Sequence, residues 1–176
     1  MDLREILNPE IIDLRVKGNT KREVLENLSI HLLQQGYIGD VKQFVDDIYL
    51  REAEGPTGMG DGLSIPHGKS ETVKKIGIAI GRTENPIAWE SDISDSGWQE
   101  TSLIFLFCVS VDNSYAENHL LLLSELAGKL GDCGRVQSLL SAETADEIIE
   151  KLVSEKAEYE CDKSSEEEIV ELDIAL

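Results

Sequence analysis

Histidine is the side chain best suited to accept a group at neutral pH, because an unperturbed pKa near ~6.5 leaves much of it uncharged, with one ring nitrogen holding a lone pair. The chain has three: His31, His67 and His119. His67 stands in Gly60-Asp61-Gly62-Leu63-Ser64-Ile65-Pro66-His67-Gly68, where proline fixes the backbone before the ring and glycine permits close approach after it. The result is a rigid, accessible imidazole; an ordinary turn histidine is the plainer reading of the same residues. His119 opens a helix in Tyr115-Ala116-Glu117-Asn118-His119-Leu120, after the loop that follows the longest apolar run. Unpaired N–H groups and the positive dipole end of a helix start favour anions, so a histidine there is close to a natural anion site, with a helix-surface role as the alternative. His31 lies among leucines at helical spacing and reads as a surface or packing residue.

Other chemistries find less support. His67 and His119 with Asp61 or Glu117 offer metal-ligating atoms, but no HExxH or Cys/His cluster is present. There is no Gly-x-Ser-x-Gly elbow for a serine hydrolase. Gly58, Gly60 and Gly62 have the wrong spacing for a Walker or dinucleotide-binding loop.

The elements that must hold these residues are legible in outline. Thr20-Lys21-Arg22-Glu23 has capping-box form and leads a helix with Val24, Leu25, Leu28, Ile30, His31, Leu32 and Leu33, ended by Gly36. Asp40 can cap a second helix, in which Val41, Phe44, Val45, Ile48 and Tyr49 recur at helical spacing. Arg51 then falls near that helix's C-terminus, where the chain turns glycine-rich. Residues 75–81 and 101–110 are apolar and read as strands, the second covered on both faces. Asn85-Pro86 suggests a turn into a short strand or loop over Ile87-Ala88-Trp89, and Ser94 to Gly97 a polar connector. A buried helix is expected from Ser114 or Tyr115 to Gly131, another near Arg135–Ser141, and a last one over 142–152 with Thr144 and Glu147 in capping-box positions. Helices before, between and after strands imply an α/β domain with helices packed on a mixed sheet.

Composition bounds the partners. In 176 residues, 35 Asp plus Glu against 16 Lys plus Arg give a formal charge of −19, which disfavours nucleic acid and anionic membrane surfaces. The N-terminus MDLREILNPEII has no signal-peptide core, and no apolar stretch approaches the ~20 residues of a membrane span. Cys108, Cys133 and Cys161 are an odd number without metal-type spacing, which fits a reducing, cytoplasmic setting. The expected organisation is a domain over 1–153 and an acidic tail or linker over 154–176, where nine acids face Lys156 and Lys163.

Taken together, Arg51-Glu52, Thr57, Gly60-Asp61-Gly62, Ile65-Pro66-His67-Gly68, the strand 75–82, Pro86-Ile87-Ala88-Trp89, Asn118-His119-Leu120 and Asp146-Glu147-Ile148-Ile149 resemble the fructose/mannitol family of enzyme IIA domains. These are cytoplasmic components of the bacterial phosphoenolpyruvate-dependent sugar phosphotransferase system. The resemblance runs from about residue 3 to residue 153. It implies a three-layer α/β/α sandwich with a mixed central sheet, of the phosphotransferase/anion transport protein-like kind. It implies that His67 is the phosphorylated nucleophile, taking a phosphoryl group from the carrier protein HPr and passing it to an enzyme IIB domain. His119, Arg51, Thr57 and Asp61 match the family's assisting residues; family members commonly carry glutamate at the last position, so aspartate is a shorter substitute. No cofactor or metal is expected. A regulatory protein on the same domain, whose phosphorylation state controls a kinase, transporter or transcription factor, is the alternative. The sugar and the oligomeric state are not written in these residues.

Overall fold

The computed structural model describes residues 2–111 and 116–154. Two short 3-10 helices, Leu3–Ile6 and Pro9–Ile11, lead into β1 (Ile12–Val16). There follow α1 (Lys21–Gln34), α2 (Val41–Glu52), β2 (Gly58–Gly60), β3 (Leu63–Ser64), β4 (His67–Ser70), β5 (Gly77–Glu90), β6 (Trp98–Ser110), α3 (Ala116–Leu130), α4 (Cys133–Ser141) and α5 (Ala145–Val153). The helix start expected at Ser114 or Tyr115 and the acidic tail beyond 154 lie outside the described residues.

Capping sets the helix starts. Thr20 Oγ1 accepts from the Glu23 N–H at 3.2 Å, Asp40 from Gln43 at 3.1 Å and Thr144 from Glu147 at 3.1 Å. In α1 and α5 the glutamate carboxylate reaches one residue further back than a capping box requires, to the N–H of Asn19 and of Glu143. Gly36, at φ 78°, ends the first helical segment in the left-handed region.

The sheet is mixed. β1 runs parallel to β5, β5 antiparallel to β6, and the other edge of β6 carries β3 against Leu103–Ile104 and β4 against Phe107–Ser110, both parallel; β2 pairs antiparallel with β3. Alternation along the central strands feeds two cores. Ile78, Ile80, Leu103, Phe105 and Phe107 pack with Leu122, Leu126, Leu139 and Ile148 of α3–α5, while Ala79, Ile104, Leu106 and Cys108 pack with Leu25, Leu28, Phe44 and Ile48 of α1 and α2. The three-layer α/β/α arrangement with a mixed sheet is therefore present.

Four expectations need amendment. β1 was not expected, although Ile12, Leu14 and Val16 alternate with Asp13 and Arg15. β2 to β4 occupy a stretch read as loop; they are two to four residues long and owe their form to pairing with one another and with β6. The segment 85–89 is not a turn into a separate strand but the continuation of β5, with a register shift between Arg82 and Ile87 that accommodates Pro86 without a ladder N–H. The last two helices begin at Cys133 and Ala145, where Asp132 and Thr144 cap them. Among the described residues no helix is long and apolar enough to cross a membrane.

Candidate active site

β4 lies on the edge of β6, between the α2 layer and the α3 layer, and its first residue is His67. The backbone reaches this point along a constrained path: the Ile65 N–H donates to the Thr57 carbonyl at 3.1 Å, and the Pro66 carbonyl accepts from the Phe107 N–H at 3.0 Å. The His67 ring is half-buried, and its Nδ1 lies 2.9 Å from the Ile65 carbonyl oxygen. A carbonyl can only accept, so Nδ1 carries the hydrogen and Nε2 keeps the lone pair. Burial lowers the His67 pKa below its ordinary value; the Ile65 carbonyl opposes this, the Arg51 guanidinium adds to it, and Glu52 opposes it. The neutral ring with a bare Nε2 is thus the favoured form.

A cleft of about 550 Å³ opens beside this ring, with Asp47, Leu50, Arg51 and Glu54 of α2 and its C-terminal turn on one side and His119, Leu120 and Leu123 of α3 on the other. Lys69 of β4 and Phe107 and Val109 of β6 also line it. The close approach of α2 depends on Gly68, since a Cβ there would stand 3.0 Å from the Asp47 carbonyl oxygen and 3.4 Å from Arg51 Cβ. Arg51 sits in the last turn of α2, and its Nη1 donates to the Gly55 carbonyl at 2.9 Å. His119 is buried at 7% exposure, set edge-on to Phe107 with ring centroids 6.2 Å apart and planes at 82°. Burial lowers the His119 pKa, and the charge of Lys69 lowers it further.

Of the five residues singled out from the sequence, the cleft brings together His67, His119 and Arg51. Thr57 does not line it. Its hydroxyl donates to Glu52 Oε1 and accepts from Trp89 Nε1 at 3.4 Å, while Glu52 Oε2 pairs with Lys21 Nζ at 2.9 Å, both side chains buried. Thr57 therefore anchors the loop that carries Gly55, the partner of Arg51. Asp61 does not line the cleft either; it is exposed at φ 53° between Gly60 and Gly62, so the glycine-rich run forms a left-handed turn between β2 and β3. His31 pairs with Asp13 at 2.9 Å between α1 and β1, away from the cleft. Asp47, Glu54 and Lys69 were not foreseen; Lys69 shares a strand face with His67, but that strand is too short to show a period in the sequence. Among the described residues no group of three or more His, Cys, Asp or Glu could hold a metal ion.

What the arrangement can do is offer one nucleophilic nitrogen beside cationic groups. Comparison with known proteins places the chain in a family. The model described as "Phosphoenolpyruvate-dependent sugar phosphotransferase system, EIIA 2" matches residues 5–155. The PTS system fructose-like EIIA component of Escherichia coli (strain K12) is 32% identical over 148 residues, covering 77% of this chain and 95% of that protein. The nitrogen regulatory protein of Klebsiella oxytoca is 35% identical over 155 residues, covering 85% and 90% respectively. Among solved structures, nitrogen regulatory protein IIA-Ntr from Neisseria meningitidis superposes with a TM-score of 0.73 at 29% identity, over 85% of this chain and 98% of that one. Some relatives are far longer: the chain spans 22% of the E. coli 2-O-alpha-mannosyl-D-glycerate-specific EIIABC component, at 30% identity over 152 residues. The chain belongs to the EIIA type 2 family of the phosphoenolpyruvate-dependent sugar phosphotransferase system.

Proposed function

We propose that this domain is a cytoplasmic phosphocarrier in which His67 accepts a phosphoryl group from phospho-HPr and passes it to a cysteine of an enzyme IIB component during sugar uptake. The observation that carries this reading is the hydrogen bond from Nδ1 to the Ile65 carbonyl, which leaves Nε2 bare on the cleft side of a rigid strand start. In the transfer, the Nε2 lone pair forms the new bond to phosphorus. The bond from phosphorus to the donor atom breaks, its electron pair returns to the carrier, and the Nδ1 proton stays where it is. The same steps run in reverse order toward the acceptor. Phosphoryl transfer passes through a loose, negatively charged arrangement, so the surrounding protein mainly positions and neutralises. Arg51 and His119, approaching from α2 and α3, are the groups that assist, while Thr57 acts through Glu52 and the loop to hold Arg51. Leu50 and Leu120, 69% and 68% exposed on opposite rims, offer apolar contact to the partners.

Incubation with enzyme I, HPr and labelled phosphoenolpyruvate tests the assignment: the native domain takes up label, and label retained in His67→Ala would refute it. His119→Ala keeps the fold and slows onward transfer by on the order of 10²- to 10³-fold, as loss of one preorganised stabilising group does elsewhere. The identity of 35% to a nitrogen regulatory protein supports a second reading, in which the phosphorylation state of His67 is itself the signal. Phosphorylated protein that transfers nothing to any EIIB protein of the same cell supports that second reading.

A further inference from the structure

The cleft holds a cation to which none of the preceding roles has been given. β4 alternates: Gly68 faces α2, close to the Asp47 carbonyl oxygen and Arg51 Cβ, and Ser70 Oγ donates to Asp47 Oδ2 at 2.6 Å on that same side. The opposite face of the strand is therefore shared by His67 and Lys69. Both line the cleft with His119. Lys69 is exposed, and among the described residues it makes no ion pair, in a chain where acids outnumber bases 35 to 16 and where Lys21, Arg22 and Lys42 each have a carboxylate partner. Of the two cleft acids on the α2 side, Asp47 and Glu54, the first is already engaged by Ser70. A phosphoryl group on Nε2 has three oxygens, and Arg51 reaches the cleft from the α2 side, with one of its nitrogens committed to Gly55. On the α3 side His119 alone leaves most of the oxygens turned that way without a donor, and an ammonium beside it supplies up to three.

We propose that Lys69 binds oxygens of the phosphoryl group carried on His67, on the α3 side of the cleft and facing Arg51, and so stabilises the phosphorylated domain. This rests on the phosphocarrier reading above. It differs from a docking role in its thermodynamic consequence: the equilibrium constant for exchange between phospho-HPr and this domain depends on the separated proteins and not on their complex.

The experiment is to mix the full chain, or its Lys69→Gln and Lys69→Arg variants, with phospho-HPr and measure the phosphorylated fraction of each protein at equilibrium, with the forward and reverse rates. Lys69→Gln is expected to shift the equilibrium toward phospho-HPr by about threefold to tenfold, the size of one partly solvated charge-assisted contact, and Lys69→Arg to restore most of it. Melting temperatures serve as the fold control, since Lys69 is exposed. Forward and reverse rates that fall equally in Lys69→Gln, with an unchanged equilibrium constant, make Lys69 a docking residue only and overturn the proposal. Absence of phosphorylation in the unsubstituted chain overturns the phosphocarrier reading first, and this assignment with it; phosphorylation of the unsubstituted chain with no equilibrium shift in Lys69→Gln overturns the Lys69 assignment alone.

Discussion

At the scale of single residues, the chemistry turns on which ring nitrogen is bare and at what pH it stays so. Burial and Arg51 both lower the His67 pKa, so the nucleophilic form persists below the ordinary ~6.5 of imidazole. An NMR titration of the His67 ring protons is expected to give a midpoint below that value, and Arg51→Gln to raise it by removing a repelling cation. A midpoint that does not move in Arg51→Gln would separate the guanidinium from the ring. The same shift has a consequence for folding. The unfolded chain binds the proton first as pH falls through ~6.5, so the contribution of His67 and His119 to stability is full above that pH and is lost as pH drops through their lower folded values. His67 and His119 stood out in the sequence because proline, glycine and a helix start surround them, whereas Arg51 was placed only at a helix end and its role came from the resemblance. Thr57 and Asp61 were singled out by resemblance alone, and neither lines the cleft; the direction of a side chain on a glycine-rich loop is set by tertiary partners such as Glu52 and Trp89, which no local pattern records.

At the scale of elements, two features fix where α2 lies, one against β4 and one against α1. The first is the absent side chain at Gly68. Gly68→Ala would press a methyl group against the Asp47 carbonyl oxygen at 3.0 Å, so the α2 backbone must give by a few tenths of an ångström. A loss of about 1–3 kcal/mol in denaturant unfolding is expected, together with slowed phosphoryl transfer as Arg51 retreats. Full activity in this variant would show that the spacing is not critical. The second is the buried pair Lys21–Glu52, which joins the start of α1 to the end of α2, with Lys21 Nζ also 4.8 Å from the Trp89 ring centre. Lys21→Met leaves the Glu52 carboxylate buried without its partner and is expected to cost about 3–5 kcal/mol of stability, part of it recovered when Glu52→Gln is added. No recovery in the double variant would mean that the carboxylate is not the source of the loss. Helices with caps and 3.6-residue patterns were readable from the sequence. The strands β2 to β4 were not, because elements of two to four residues have no period to display and exist through their neighbours.

At the scale of the whole molecule, the cleft lies on a seam. Arg51 comes from the layer packed by the α1–α2 core and His119 from the layer packed by the α3–α5 core, and β5 and β6 contribute alternate side chains to both. Strands shared in this way should bind the two cores into one cooperative unit, since neither layer can detach without exposing the opposite face of the same strands. Leu126, fully buried against α3's side of the sheet, and Trp89, fully buried on the other side, make the test direct. Leu126→Ala is expected to destabilise by about 2–5 kcal/mol. Its thermal unfolding followed by Trp89 fluorescence, with the exposed Trp98 replaced by phenylalanine, should fall to the same lowered midpoint as circular dichroism, although the deleted side chain never touches the Trp89 core. Phosphoryl acceptance should vanish over that same interval, because the two halves of the cleft separate when either layer leaves. A fluorescence midpoint that holds at its original temperature while the circular dichroism midpoint drops would mean that the layers unfold independently, and that His119 can be lost while Arg51 and His67 remain in register.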